Sequence, residues 1–528
     1  MSQKKSLASI AGIVALATFI SKIFGLVREQ IVAAAFGVGT VVNAYAYAYV
    51  IPGFLLILLG GINGPFHSAL VSVLAKRNQK DAAPLIETIT TLVSTCLLVV
   101  TIILVIFADR FIDLLAPGLA TDVRNMAILQ LQIMAPLAIF AGLIGIGFGS
   151  LNASDQYWLP SISPLFSSLT IVIGVGGLFW FLGEKINSPE YIQFGSMMLA
   201  GTTLAGGLWQ WLAQQATQIK LGISTLKLRF DWGREGVNDV VKVMLPATLS
   251  SGMLHINVYT DLYFASYIEN AAAAMRYANF VVLTPLGIIS NMILVPFLPV
   301  FSRLASPENW DELKMRIRQG LILTALTMLP LTAIFTALSN PVVRIIYERG
   351  VFESSASAIV APVLLAYGIG MFFYLARDVL VRVFYALGDG QTPFKISIVN
   401  IFINVVLDYL LVQEFQTQGL VFSTIGVNIF SIIAMIWLLH KRLNGLPLKQ
   451  WFLILLGLVI ATIISGFACW GSNQFLVYLW GEQGLLIQLI NLSISSLIAV
   501  AIFFFITMLL KLPELEILFS KISAKFSR

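Results

Sequence analysis

Apolar stretches long enough to cross a membrane follow one another along almost the whole chain, and they restrict the fold more than any other feature. A membrane-spanning helix needs about 20 apolar residues. Apolar residues make up 58% of the 528-residue chain and charged residues 11%, whereas a soluble protein carries about 25% charged residues. The sequence therefore predicts an all-α polytopic membrane protein in which no large soluble domain fits.

Fourteen transmembrane helices account for the apolar stretches. Their approximate limits are 8–36, 41–74, 83–108, 125–152, 159–182, 191–219, 238–268, 272–302, 315–338, 357–386, 394–413, 419–440, 450–471 and 486–510. The segment from Lys220 to Lys242 and the basic tail after Leu510 are predicted to be water-exposed. The first helix contains Lys22 and Arg28, unlike the apolar core of a cleaved signal peptide, so we expect it to remain in the mature protein.

The distribution of basic residues predicts the orientation of the helices. With the N-terminus in the cytoplasm, 22 of the 32 Lys and Arg residues fall in cytoplasmic segments and five in external loops. This asymmetry agrees with the positive-inside rule and predicts that both termini are cytoplasmic. The net charge of +6 follows from this bias and suits anionic lipid headgroups, so it does not indicate a nucleic-acid partner.

The two halves of the chain resemble each other at an offset of 232 or 233 residues. Corresponding positions are Pro52 and Pro285, Gly118 and Gly350, and Pro160 and Pro393. Six helices per repeat give both copies the same orientation, and hence two lobes related by a parallel pseudo-twofold axis. The predicted divisions are 1–220 (helices 1–6), 221–445 (helices 7–12) and 446–528 (helices 13 and 14 with the tail). The alternative is chance, since prolines are common in membrane helices.

Basic residues inside helix 1 are candidates for a binding site, because an ionisable group at membrane depth is costly unless it faces water or a partner. Lys22 and Glu29 are seven residues apart and share a helix face, about 10 Å apart along the axis, while Arg28 projects about 120° away from Lys22. We interpret all three as site residues. The alternative is that the basic groups extend to the nearer membrane surface and pair with Glu29.

Arg276 in helix 8 and Arg377 and Arg382 in helix 10 are further candidates for substrate binding. Asp378 precedes Arg382 by four residues, which is the favourable order for an intrahelical ion pair. A structural pair is therefore the preferred interpretation there. Arg276 lies near the end of its helix, and its alternative role is to reach the external surface.

Asn257 and Asp261 in helix 7 are four residues apart and form one polar face. This face is a candidate ion site or polar lining of a cavity. Asp261 follows Glu29 by 232 residues, so each half of the chain has an acid at the equivalent position.

Catalytic and metal-binding motifs do not occur in the sequence. It has no Walker A, HExxH or GxSxG pattern, and its two cysteines and three histidines lack the spacing of a metal site. We therefore expect a transporter without cofactor or metal rather than an enzyme. A non-transporting scaffold is disfavoured because it gains nothing from charges buried in the membrane.

Several segments resemble the MurJ (MviN) family of the MOP superfamily. They are SKIFGLVREQIVAAAFG in helix 1, APGL after helix 3, GSLNASDQYWLPSISP across helices 4 and 5, GGLWQWLAQ in helix 6, PLGIISNMILVPFLPVFSRLA in helix 8, and RVFYALGDGQTPFKISIVNIFIN across helices 10 and 11. The resemblance extends over about the first 440 residues. It implies two six-helix lobes with two extra helices, and a lipid II flippase of the bacterial inner membrane. We expect the protein to be a monomer that works by alternating access.

The implied substrate is the undecaprenyl-diphosphate-linked peptidoglycan precursor, moved from the inner to the outer leaflet during cell-wall biogenesis. The family has two cavity arginines in helix 1, and their positions here are Lys22 and Arg28. Lysine keeps the charge but lacks the planar fork that binds phosphate through two hydrogen bonds. Basic residues that the family carries in helices 2 and 8 are replaced here by Leu56, Ile57 and Phe280. The resemblance also implies that helices 13 and 14 form a groove for the polyprenyl tail.

Two other functions remain open on the sequence alone. The altered cavity charges leave room for a flippase of another polyprenyl-linked glycan. The acids Glu29 and Asp261 leave room for an ion-coupled multidrug exporter of the same superfamily.

Overall fold

The protein is built from α-helices. The computed structural model describes residues 7–60, 65–74, 79–234, 236–242, 244, 248 and 256–515. In chain order its helices are α1 (Leu7–Phe36), α2 (Thr40–Ala48), α3 (Val50–Gly60), α4 (Pro65–Leu74), α5 (Gln79–Ile106), α6 (Ala108–Leu115), α7 (Thr121–Met134), α8 (Leu137–Ala153), α9 (Trp158–Ile162), α10 (Pro164–Leu182), α11 (Ile192–Leu221), α12 (Ile256–Ala265), α13 (Ala271–Arg303), α14 (Trp310–Ala337), α15 (Ser339–Tyr347), α16 (Ser354–Ala386), α17 (Gln391–Arg442), α18 (Leu448–Trp480) and α19 (Leu485–Leu509). Among the described residues there is no strand.

Eight helices in this part of the chain are long and apolar enough to cross a membrane, or up to ten if each of two bent helix pairs is one span. One pair is α2 with α3, bent by 47°, and the other is α7 with α8, bent by 42°. The all-α membrane class is therefore confirmed, and the number fourteen stays a prediction. The predicted helix 7 (238–268) lies partly outside the described residues, which include its last part as α12.

The predicted helices 11 and 12 lie within the single helix α17, which is broken at Gln416 (φ 47°, ψ −125°). The two arms on either side of the break fold back on each other. Asn400 Nδ2 in the first arm donates a hydrogen bond to Ser431 Oγ in the second, at 2.8 Å. Asn404 Nδ2 likewise donates to Ser423 Oγ at 3.0 Å. The arms thus correspond to the two predicted spans, and Gln416 supplies the turn between them.

Asp389 holds the turn between α16 and α17. Its Oδ1 accepts the Thr392 backbone N–H at 3.0 Å, and its Oδ2 accepts both the Thr392 hydroxyl at 2.8 Å and Arg442 Nη1 at 2.9 Å. Burial raises the pKa of the Asp389 carboxyl, but the Thr392 hydrogen bonds and the Arg442 guanidinium outweigh burial, so the pKa lies below its ordinary value.

The short helices α6 and α15 were not among the predicted elements. Each follows a long apolar helix, and their first residues, Ala108 and Ser339, are 231 residues apart (339 − 108). Their charged side chains, such as Arg110 in α6 and Arg344 in α15, interrupt the apolar pattern on which the prediction relied. Their equivalent positions are consistent with the predicted duplication.

The loops after these two short helices make the same contact twice. Gly118 N donates a hydrogen bond to Ser266 Oγ at 3.0 Å, and Val351 N, next to Gly350, donates one to the Ala34 carbonyl oxygen at 2.9 Å. Gly118 and Gly350 are 232 residues apart, as are Ala34 and Ser266. We call these two interactions the reciprocal glycine contacts. Such reciprocity is what a duplicated chain predicts.

Two compact units make up the chain, and each has its own apolar core. The first comprises Met1–Ala273 and Arg349–Glu353, and the second comprises Ala274–Glu348 and Ser354–Arg528. The core of the first unit lies among α3, α4, α5 and α8, and that of the second among α14, α18 and α19. Representative buried residues are Leu58, Leu70, Leu85 and Ile146 in the first unit, and Leu326, Leu458 and Phe503 in the second.

Candidate functional site

Arg28 and Glu29 form an ion pair on α1, in the first unit. Arg28 donates from Nε at 3.0 Å and from Nη2 at 2.8 Å to the same oxygen, Glu29 Oε1. The Glu29 side chain is only 2% exposed, and that of Arg28 is 25% exposed. A buried carboxylate is strongly disfavoured unless a cation pairs with it. Glu29 therefore fixes the guanidinium, and its own carboxylate is not available to a ligand.

The remaining donors of Arg28 are the chemically useful part of this pair. A guanidinium carries five N–H donors in a fixed plane, and the hydrogen bonds to Glu29 use two of them. Within the described part of the chain, the other three have no partner. They are oriented by the ion pair and suit an anion with several oxygens, such as a phosphate.

Lys22 is the second cation of α1, and its side chain is exposed. It has no hydrogen-bond or ion-pair partner among the residues that the structure describes. Six residues separate it from Arg28, which corresponds to about 9 Å along a helix. Lys22 is thus a free ammonium group, while Glu29 pairs with Arg28 rather than with Lys22.

Asn257 and Asp261 lie on α12, four residues apart on one helix face, as predicted. Asp261 is buried and engaged by a neighbouring group, and Asn257 is half-buried. Within the described structure the Asn257 Oδ1 atom is buried and accepts no hydrogen bond. The pair remains a candidate polar site.

The other predicted site residues belong to the second unit. Arg276 is half-buried on α13 and engaged by a neighbouring group. On α16, Arg377 Nη1 lies 3.7 Å from Asp378 Oδ1. The described structure contains no ion pair between Asp378 and Arg382, so the structural pair expected from their spacing joins different residues. Arg382 therefore stays a candidate for binding, and Arg377 is partly neutralised.

A buried polar row on α17 was not predicted as a site. Asn400, Asn404 and Asp408 are spaced four residues apart, and all three are buried. Asn404 Nδ2 donates to Asp408 Oδ2 at 2.9 Å and to Ser423 Oγ at 3.0 Å. The four-residue spacing of polar residues in an apolar helix was the signal that would have revealed this row. Its hydrogen bonds join the two arms of α17 and accommodate a carboxylate in the apolar interior.

A family model and a full-length relative agree on one family. Residues 32–491 match the family described as "Lipid II flippase MurJ". The chain is 62% identical over 524 residues to a protein of Synechocystis sp. named "Probable lipid II flippase MurJ", and this covers 99% of the chain and 98% of the relative.

Solved structures show the same fold at lower identity. One, titled "Lipid II flippase MurJ, inward closed conformation", has a TM-score of 0.73 and 22% identity, covering 93% of this chain and 98% of the other. An inward-facing multidrug resistance transporter of the MATE family and MOP superfamily has a TM-score of 0.65 and 14% identity, covering 82% of this chain and 98% of the other. At these identities the likeness concerns the fold alone.

Proposed function

This chain belongs to the MurJ family of lipid II flippases, and we propose that it moves lipid II from the inner to the outer leaflet of the bacterial inner membrane. The single observation that carries this function is the 62% identity to the Synechocystis relative over 524 residues. The family is one of transporters rather than enzymes. The asymmetry of the Lys and Arg residues supports the proposed orientation, with both termini in the cytoplasm.

The diphosphate of lipid II is the part that needs a protein. An unpaired charge cannot enter hydrocarbon without a prohibitive cost, whereas the polyprenyl tail can remain in the lipid. We propose that Arg28 binds the diphosphate through its three available N–H donors, and that Lys22 adds a second positive charge on the same helix. An inside-negative membrane potential favours the outward movement of an anion, by about 2.3 kcal/mol per charge per 100 mV.

Glu29 has a positioning role in this proposal. Its carboxylate would repel a diphosphate if it faced one, but it is buried and bonded to Arg28 through a single oxygen. It therefore limits the rotation of the guanidinium and presents the free donors in one direction. Arg28 supplies donors in a fixed plane, whereas the three N–H donors of Lys22 rotate freely and have no preset direction.

A flippase for another polyprenyl-linked glycan is the second candidate function. It is favoured by the apolar residues Leu56, Ile57 and Phe280 at positions where the resemblance implies basic residues. The diphosphate and the polyprenyl tail would be the same in both substrates, so the helix 1 pair serves either one. Only the sugar and its attachments distinguish them.

The test is replacement of the lipid II flippase in a bacterium whose own protein can be switched off. We expect this chain to restore growth and to restore lipid II in the outer leaflet, and Arg28→Ala to do neither at equal membrane abundance. The matched control is Arg110→Ala. The Arg110 side chain is 80% exposed, and its nearest carboxylate oxygen is as far as 3.9 Å away. Lys22→Arg is expected to stay active because it restores the fork.

Full activity of Arg28→Ala would contradict the proposed site while leaving the function intact. If an abundant wild-type chain restored neither growth nor outer-leaflet lipid II, the flippase for another glycan would be favoured. Parallel delivery of other polyprenyl-diphosphate glycans to the same cells would then identify the substrate.

A further inference from the structure

The segment after α11 alternates between two kinds of residue. Helix α11 ends at Leu221, and the next residue, Gly222, has a left-handed backbone (φ 67°, ψ 18°) that stops the helix. Beyond it the chain is extended and reads TLKLRFDW from residue 225 to residue 232. Large apolar residues alternate with polar ones, and in extended chain alternate side chains point to opposite sides. We call the apolar set Leu226, Leu228, Phe230 and Trp232 the linker strip.

The polar side of this segment is bonded to α5. Glu87, which is buried in α5, accepts the Thr225 backbone N–H at 3.1 Å and the Thr225 hydroxyl. The other oxygen of Glu87 lies 2.5 Å from Arg229 Nε, and the Thr91 hydroxyl accepts the Arg229 backbone N–H at 3.0 Å. These bonds fix both the position of the segment and the direction in which it faces.

The linker strip faces away from the protein. Its four side chains are between 55% and 77% exposed. The sequence predicted that the chain from Lys220 to Lys242 would be water-exposed, yet four large apolar side chains on one side of an extended segment would be unfavourable in water. Because the opposite side is fixed by α5, the strip cannot turn inward to bury itself.

Three lysines lie in the stretch 220–242 that contains the strip, and none of them has an ion-pair partner among the residues that the structure describes. They are Lys220, Lys227 and Lys242, and all three are exposed. Arg229 and Arg234, in contrast, are neutralised by Glu87 and Asp231. Free positive charge beside exposed apolar groups favours an anionic partner, and it opposes contact with the same surface of a second copy of this chain.

The strip also lies at the level of two helix ends. Glu87 is in the second turn of the apolar span Ala82–Ile106, and Gly222 directly follows the last residue of α11. Tryptophan and basic residues concentrate at this depth in membrane proteins, where one end of a side chain meets hydrocarbon and the other meets headgroups.

We propose that the linker strip inserts into the interface of an anionic lipid leaflet, while Lys220, Lys227 and Lys242 stay on the water side of the headgroup layer and attract lipid phosphates from there. The occupant of this surface is thus the membrane, and the segment is an interfacial anchor rather than a free loop. The inference is independent of the substrate that the protein moves.

The experiment uses the full chain in nanodiscs that contain phosphatidylglycerol and phosphatidylcholine. In a Cys96→Ala, Cys469→Ala background, Leu228→Cys and Lys227→Cys are each labelled with bimane. These neighbours are matched controls for each other because they project to opposite sides of one extended segment. Quenching is measured with nitroxide-labelled lipid and separately with aqueous iodide.

We expect nitroxide lipid to quench the label at 228 several-fold more than the label at 227, and iodide to show the reverse order. Equal quenching of the two positions by iodide would overturn the proposal, because the strip would then lie in water. Protection of position 228 from both quenchers would also overturn it, because a protein surface would then cover the strip.

Two further variants separate the anchor from a local folding defect. Replacing Lys220, Lys227 and Lys242 together with Gln, with the label at 228, is expected to reduce the lipid quenching mainly in discs rich in phosphatidylglycerol. Glu87→Gln removes the charge that holds Arg229, and it is expected to diminish the difference between positions 227 and 228. If neither change alters the quenching, the charges and the α5 contacts do not place the strip, and the proposal fails.

Discussion

Gly350→Ala places a methyl group where the structure has no room for one. An ideal Cβ at this position would lie 2.5 Å from the Ala34 carbonyl oxygen and 2.8 Å from a ring carbon of Phe179, and the Gly350 φ is +57°. A left-handed backbone costs a residue with a side chain about 1–2 kcal/mol. Moving the Ala34 carbonyl away adds about 1–3 kcal/mol of overpacking and about 1 kcal/mol for the weakened Val351 hydrogen bond. We expect a loss of free energy of unfolding of about 3–6 kcal/mol in all.

The matched control is Gly222→Ala. Gly222 has φ +67°, and a Cβ there would meet nothing within 4 Å, so this change carries the backbone cost of about 1–2 kcal/mol without the overlap. The assay is the thermal unfolding midpoint of each purified variant in the same detergent. Gly350→Ala should lower the midpoint at least about twice as far as Gly222→Ala. Equal shifts of the unfolding midpoint would refute the reasoning, because they would mean that the Ala34 carbonyl moves away from the new methyl group without a loss of free energy.

Three more predictions concern single polar groups. Glu29→Gln should reduce the outer-leaflet lipid II several-fold at equal abundance, and less than Arg28→Ala, because the amide still accepts a hydrogen bond but no longer fixes the guanidinium by charge. Asn404→Leu should lower the free energy of unfolding by about 1–3 kcal/mol, because the buried Asp408 loses a donor, and thermal unfolding measures this. The pKa of Asp389 is lower in the folded protein than its ordinary value of about 4. This difference stabilises the fold at pH values above the ordinary pKa, and the stabilisation is lost as the pH falls through the lower pKa of the folded protein. Asp389→Asn should therefore have a lower thermal unfolding midpoint than the wild type at pH 6. Its midpoint should then fall less than that of the wild type between pH 6 and pH 3.

Each of these predictions has a contradicting outcome. Unchanged transport by Glu29→Gln would show that Arg28 is positioned by other groups. An unchanged free energy of unfolding in Asn404→Leu would mean that Asp408 has sufficient hydrogen-bond donors without the Asn404 amide. A parallel pH dependence of Asp389→Asn and wild type would assign the acid sensitivity to other carboxylates.

Apolar periodicity predicted the long helices well, because the membrane imposes a minimum length on any helix that crosses it. The predicted span 8–36 is α1 at Leu7–Phe36, and the span 272–302 is α13 at Ala271–Arg303. The prediction merged α2, α3 and α4 into one span, because it gave the apolar length of residues 41–74 more weight than the turn-forming residues Pro52, Gly53 and Gly60–Pro65. The same method missed α6, because its apolar residues occupy only one face of an eight-residue helix.

The candidate site was predictable in its residues but not in its pairings. Helical spacing placed Glu29 on the face of Lys22, and Asp378 four residues before Arg382. In the structure each acid pairs instead with the arginine beside it in sequence, Arg28 and Arg377 respectively. Spacing along a helix gives the direction of the Cβ atom, whereas a long arginine side chain reaches around the helix according to its rotamer and its surroundings. Burial of Glu29 decides its partner, and burial depends on packing by distant parts of the chain.

The contact between Ala34 and Val351 also has a consequence for biosynthesis. Ala34 lies near the end of α1, and its hydrogen-bond partner Val351 follows it by 317 residues (351 − 34) along the chain. At the usual rates of translation this interval lasts on the order of 15–60 s. During that time the end of α1 lacks this hydrogen-bond partner, so the first unit is completed only after its segment Arg349–Glu353 has been synthesised.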